Sequence, residues 1–157
     1  MLIFKALHVL TMFAMVSVFL GAQFFYTAAV WRRDVHGLAW VHRVEGQTKP
    51  PLGILGVAFL VAGIVFGLLT AVTGGLDIFA GWLVAAYVLI AAFLVNVALV
   101  GVRLIRLADM AVEAEKGERP AEEVIRELRA NRVVLLFLPV NVAIFAAVIL
   151  DMVLKPF

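Results

Sequence analysis

The 157 residues are 65% hydrophobic, with a mean hydropathy of +1.10; a soluble domain is nearer half apolar, so an ordinary water-soluble globule is excluded. No cysteine is present, which removes disulfides, thiolate metal sites and cysteine nucleophiles. The formal net charge is only +2, so the pI near 9.3 marks a slight basic excess and no nucleic-acid surface.

The first apolar run covers residues 2–30, longer than the roughly 20 residues that cross a bilayer. Lys5 stands alone before it, without the basic cluster of a secretory signal, so it reads as a first span (about 4–30) and not as a targeting peptide. It ends at Trp31-Arg32-Arg33, an aromatic and a basic pair of the kind found at a membrane–water boundary. Gln23, Tyr26 and Thr27 near that end predict a face packed on protein. Residues 34–47 place Val35, Leu38, Val41 and Val44 at spacing three, which predicts a short amphipathic helix in the interface. Its His36 and His42, six residues apart, read as interfacial and not as a metal pair.

After Pro50-Pro51 the second span covers about 52–72. Gly56, Gly63, Gly67 and Gly74 follow one another at spacings of seven, four and seven. They form a stripe that another helix can approach closely, inside the chain or across a dimer. A turn with Asp77 leads to the third span, about 81–105, which continues as helix towards Lys116 before Gly117 breaks it. Pro120 restarts a helix with Glu122 and Arg126 as an i,i+4 pair, and that helix is predicted to run uninterrupted into the fourth span, about 133–154.

Residues 103–132 carry fourteen of the twenty-four charged side chains. A stretch this polar cannot enter hydrocarbon, so it reads as a helical hairpin outside the membrane, splitting spans three and four. Eleven of the thirteen Lys and Arg residues fall in the loops after spans one and three, leaving Lys5 and Lys155 on the other side. The positive-inside rule then places both long loops in the cytoplasm and both termini in the periplasm. The expectation is one all-α domain over residues 1–157, an integral membrane antiparallel four-helix bundle with a cytoplasmic extension of helices three and four.

Ionisable or polar side chains within a span are functional candidates by default. His8 lies near the outer end of span one, with Met12 and Met15 at i+4 and i+7. Asp151 and Met152 lie at a similar depth in span four, and Lys5 and Asp77 belong to the same side. Three readings stand open for this cluster. His8 hydrogen-bonds Asp151 or a carbonyl while the methionines fill space; or His8 is an axial ligand to haem b; or His8, Met12, Met15 and Met152 offer soft donors to copper. Asn96 and Asn141 fall at matching depths on adjacent antiparallel spans, which predicts an interhelical amide clasp, with Pro139 leaving the Leu135 carbonyl in need of a donor. A polar step on an ion path is the rival. No phosphate loop, hydrolase triad or zinc-protease motif is present, so no reaction is named and enzymatic activity stays open.

At Phe4-Lys5-Ala6-Leu7-His8-Val9-Leu10 the chain resembles small bacterial membrane proteins of the copper-resistance D and HemJ-like type, and related families of unknown function. Their first helix opens with Lys-x-x-His, matched here by Lys5 and His8. Where HemJ-like proteins carry a Pro-Arg step, this helix reads Ala29-Val30-Trp31-Arg32-Arg33. The resemblance implies a bacterial inner-membrane protein with haem or copper held through His8. The alternative is an accessory subunit of a larger membrane complex, or a homo-oligomer, using the glycine stripe and the charged hairpin as contact surfaces. An oligomeric transporter is a third reading.

Overall fold

A computed structural model describes residues 2–154. Among them the chain is helical, without strands: α1 (Leu2–Arg32), α2 (Val35–Gln47), α3 (Leu52–Thr73), α4 (Gly81–Asn96), a π turn (Val97–Gly101), α5 (Val102–Glu115), α6 (Ala121–Ala130), a 3-10 turn (Arg132–Leu136) and α7 (Phe137–Leu154). Leu2–Arg32, Leu52–Thr73, Gly81–Glu115 and Arg132–Leu154 are each long and apolar enough to cross a membrane. At about 1.5 Å per residue, the 35 residues of Gly81–Glu115 extend well past a hydrocarbon layer about 30 Å thick.

Three helices end in the same hydrogen-bonded turn. After α3, Gly75 N–H donates to the Val72 carbonyl and Leu76 N–H to that of Ala71; after α5, Gly117 donates to Ala114 and Glu118 to Glu113; after α1, Arg33 donates to Val30 and Asp34 to Ala29. These Schellman turns satisfy carbonyls that the helix itself leaves free.

The expected continuous helix into span four is not observed. Asn131 breaks it, its side-chain amide donating to the Glu127 carbonyl at 3.0 Å, and a 3-10 turn follows before α7. Pro139 is therefore the third residue of a new helix. Its missing N–H falls among the donors that a first turn leaves unpaired anyway, so Pro139 does not deprive the Leu135 carbonyl of a helical bond, as was expected of it.

α1 is the centre of the spans. It runs antiparallel to α3, with Gly67 against His8, Gly63 against Met12 and Gly56 against Phe19. Both helices advance by steps of four and seven between these contacts, so each glycine receives a large side chain. That face of α3 is covered by α1 within the chain, the intrachain packing that is one of the two expected uses of the stripe. α7 packs on α1 and on α4, whereas α3 and α4, joined by a short loop, do not pack along their lengths among the described residues. The spans form an arc with one side parted.

Two apolar clusters hold this arrangement. Met15, Leu60, Phe93 and Phe145 tie α1, α3, α4 and α7 together at mid-depth, Phe93 lying 5.4 Å from Phe19 and 4.9 Å from Phe145 between ring centroids. The second cluster lies at the charged end and joins α1, α2, α5, α6 and the 3-10 turn. There α2 does not lie free in the interface: Leu38 and Ala39 are fully buried and pack in one cluster with Leu107, Ala108 and Ala111 of α5 and Val124 of α6.

Candidate functional site

Where α3 and α4 part, a cleft of about 750 Å³ opens at the end of the spans that carries the N-terminus. Its walls are Lys5, His8 and Met12 of α1, one side of α3 from Ile64 to Ala71 and of the loop after it, one side of α4 from Trp82 to Leu94, and Met152 and Val153 of α7. Small-molecule sites typically occupy 300–1,000 Å³, with few polar groups in apolar walls. Thr70 spends its hydroxyl on the Phe66 carbonyl of its own helix and Tyr87 donates to the Ile78 carbonyl, so the polar groups that remain towards the cleft are chiefly Lys5 and His8. The mid-depth aromatic cluster, reached through Met12 and Ile90, forms the floor.

His8 is held from α3: Nδ1 lies 2.7 Å from the Gly63 carbonyl oxygen. A carbonyl can only accept, so Nδ1 carries the proton, and in the neutral ring Nε2 keeps its lone pair. The space for the ring comes from Gly67, where a Cβ would stand 3.0 Å from Cε1 and from Nδ1. Of the alternatives left open for His8, the partner is thus a carbonyl and not Asp151.

The other members of the expected outer cluster do not all converge. Met12 lines the cleft and lies over Gly63, and Met152 lines the opposite wall. Met15 is turned into the mid-depth core and is 1% exposed, which splits the soft donor set expected for copper. Asp77 accepts the Phe79 N–H at 2.9 Å and stabilises its own turn. Asp151 does not join Lys5 or His8, and its buried Oδ2 has no hydrogen-bond partner. No group of three or more His, Asp or Glu positioned for a metal occurs among the described residues.

Asn96 and Asn141 meet deeper in the spans. Asn96 Nδ2 donates to Asn141 Oδ1 at 2.8 Å, and Asn141 Nδ2 donates to Gln23 Oε1 at 3.0 Å. Three spans are thereby bonded at one level, with Asn141 fully buried and Gln23 4% exposed. The third member was not expected as a bonding partner; Gln23 alone suggested only a protein-facing side. Between this layer and the cleft stand Met15, Leu60, Phe93 and Phe145, an apolar layer.

A second polar site lies at the charged end and was not expected from spacing. The Tyr26 hydroxyl donates to Glu45 at 2.6 Å and lies 3.1 Å from His42 Nδ1, while His42 Nε2 is 3.0 Å from Asp109. Glu115 takes both His36 and Arg43. The two histidines read as interfacial therefore fasten α2 to α5. The expected i,i+4 pair of Glu122 with Arg126 is not among the ion pairs of the described residues; Arg119 bonds Glu113 and Glu123 and closes the α5–α6 turn. The hydrogen bond to Glu113 and the charge of Glu123 hold its guanidinium above its ordinary range. Only the fold brings His42 to Tyr26 and Asp109, and Glu115 to His36 and Arg43, since these pairs join different helices; Arg119 finds its partners within its own turn.

No curated protein and no solved structure matches the chain. A family model, however, matches residues 2–156, almost the whole length. The four apolar helices fit its description, and the chain belongs to the predicted integral membrane protein family DUF2269.

Proposed function

We propose that this is a small bacterial inner-membrane protein that holds a haem-b-type group in the lateral cleft, with His8 as the iron ligand. The observation that carries the reading is the His8–Gly63 bond: ligating histidines characteristically donate their second ring N–H to a carbonyl or carboxylate, which fixes the tautomer and the ring plane. The copper-resistance D/HemJ-like resemblance at Lys5 and His8 points the same way. A cleft of about 750 Å³ with apolar walls suits a flat macrocycle better than a single copper ion, whose thioether donors are divided by the burial of Met15. Lys5 at the rim suits a carboxylate substituent. When bound, such a group supplies an iron centre for one-electron chemistry; the chain's own residues orient the imidazole and exclude water from its inner side.

The deciding measurement is the absorption spectrum of the purified full chain, as isolated and after addition of haemin. A Soret band is expected for the parent and for Met15→Leu, and its loss for His8→Ala. A parent without any Soret band under both conditions overturns the reading. If it instead co-purifies with stoichiometric subunits, the accessory-subunit alternative takes its place, the parted α3–α4 side then receiving a partner's helix.

The membrane arrangement proposed with it is an antiparallel four-span bundle opened on one side, with α2 and the α5–α6 hairpin as a cytoplasmic extension and both termini periplasmic. Its support is the distribution of Lys and Arg. Lys155, counted on the outer side, lies outside the described residues.

A further inference from the structure

The Schellman turns after α3 and α5 place Gly75 and Gly117 at the left-handed position, with φ of 66° and 76°. Glycine is the usual occupant because a Cβ there crowds the following carbonyl. After α1 the same position holds Arg33, with φ 56°, the only non-glycine residue of positive φ among the described residues. Nothing among the described residues accounts for an arginine there. Its side chain is exposed, and the ion pairs among the described residues involve Arg43 and Arg119 as their only arginines.

Arg33 is not alone. Arg32, Arg103, Arg106 and Arg132 are also exposed and unpaired among the described residues. Their near neighbours Val30, Leu104, Leu107 and Val134 are buried in a single cluster, and α1 packs directly on the 3-10 turn that begins at Arg132. The five arginines therefore flank one apolar cluster at the charged end of the spans. Several acids of the same end are engaged elsewhere: Asp34 with the Gly37 N–H, Glu45 with Tyr26, Asp109 with His42, Glu115 with Arg43, and Glu113 and Glu123 with Arg119. Trp31, 78% exposed, stands beside Arg32, as indoles do at headgroup level.

We propose that Arg32, Arg33, Arg103, Arg106 and Arg132 form a binding surface for the phosphate headgroups of anionic phospholipids, and that Arg33 keeps its strained position for this contact. A guanidinium offers two parallel N–H donors to a phosphate. A lipid and not a soluble phosphate is the ligand because the exposed arginines adjoin the ends of apolar spans, beside the exposed Trp31.

The full chain in detergent with added lipid tests this, by native mass spectrometry of retained lipid and by thermal unfolding. The parent should retain phosphatidylglycerol over phosphatidylcholine. Arg33→Gly should unfold no earlier than the parent in phosphatidylcholine, since the turn accepts glycine, yet retain phosphatidylglycerol about fivefold less, the factor expected for one basic side chain near an anionic surface. Arg33→Lys should recover most of the retention. Should Arg33→Gly fail to fold, Arg103→Gln with Arg132→Gln, away from the turn, should lower retention by about fivefold per arginine, about 25-fold together. Equal retention by parent and variants, or no preference between the two lipids, overturns the proposal. Protection by inorganic phosphate with no lipid preference would assign the surface to a soluble anion and overturn it equally.

Discussion

At the scale of single residues, energies are set by what each polar atom loses when its partner goes. Asn141 bonds both Asn96 and Gln23, so Asn141→Ala removes two interhelical bonds, whereas Asn96→Ala removes one. With each bond worth about 0.6–2 kcal/mol in a membrane interior, the first change should destabilise roughly twice as much as the second. Thermal unfolding in detergent would show this ordering; equal losses would mean that Gln23 contributes nothing. Gly67 is the other sensitive position. A methyl there would stand 3.0 Å from the imidazole of His8, which its bond to Gly63 prevents from yielding freely. Gly67→Ala should therefore weaken any Soret band nearly as much as His8→Ala. Gly63→Ala should be milder, because it meets the flexible end of Met12.

At the scale of elements, α2 and the start of α7 show how context outweighs local pattern. α2 is amphipathic in sequence, yet its apolar face is taken by α5 and α6, with Leu38 and Ala39 fully buried. Leu38→Ala should cost about 2–5 kcal/mol through the lost contacts and the cavity left behind. Limited proteolysis should then cut between α1 and α3 much faster than in the parent; unchanged cleavage would mean that α2 is held by its ion pairs alone. Pro139 gives the opposite case. In the first turn after a 3-10 segment it breaks no helical bond, so Pro139→Ala should shift stability by less than about 1 kcal/mol. A loss of several kcal/mol would place it in a helix interior after all.

At the scale of the whole molecule, the arc of four spans leaves α3 and α4 parted over the cleft, and the charged elements gather at the opposite end. Topology is checked by reporter fusions. A fusion after Phe157 should be active in the periplasm, and one inserted at Gly117, the exposed turn of the hairpin, in the cytoplasm. The reverse pattern would invert the molecule and move the cleft to the cytoplasmic side without altering its walls.

Span number, approximate span limits and the polar hairpin were legible in the residues themselves, because the bilayer imposes length and polarity on any segment that crosses it. The matching depths of Asn96 and Asn141 were legible for the same reason: helical rise turns residue number into depth. What each side chain meets sideways is a different kind of quantity. Rise and composition do not say which spans are neighbours, so the Gly63 carbonyl beside His8, Gln23 beside Asn141, and the parting of α3 from α4 had no signature in one segment alone. The pairing of His42 with Tyr26 and Asp109 was hidden likewise, since it required α2 to fold back on α5. Even Met15, in step with His8 and Met12 along one helix, was drawn into the core by Leu60, Phe93 and Phe145 on three other helices. Polarity and length determined how far each segment reaches into the membrane; packing between helices decided which of its residues share a site.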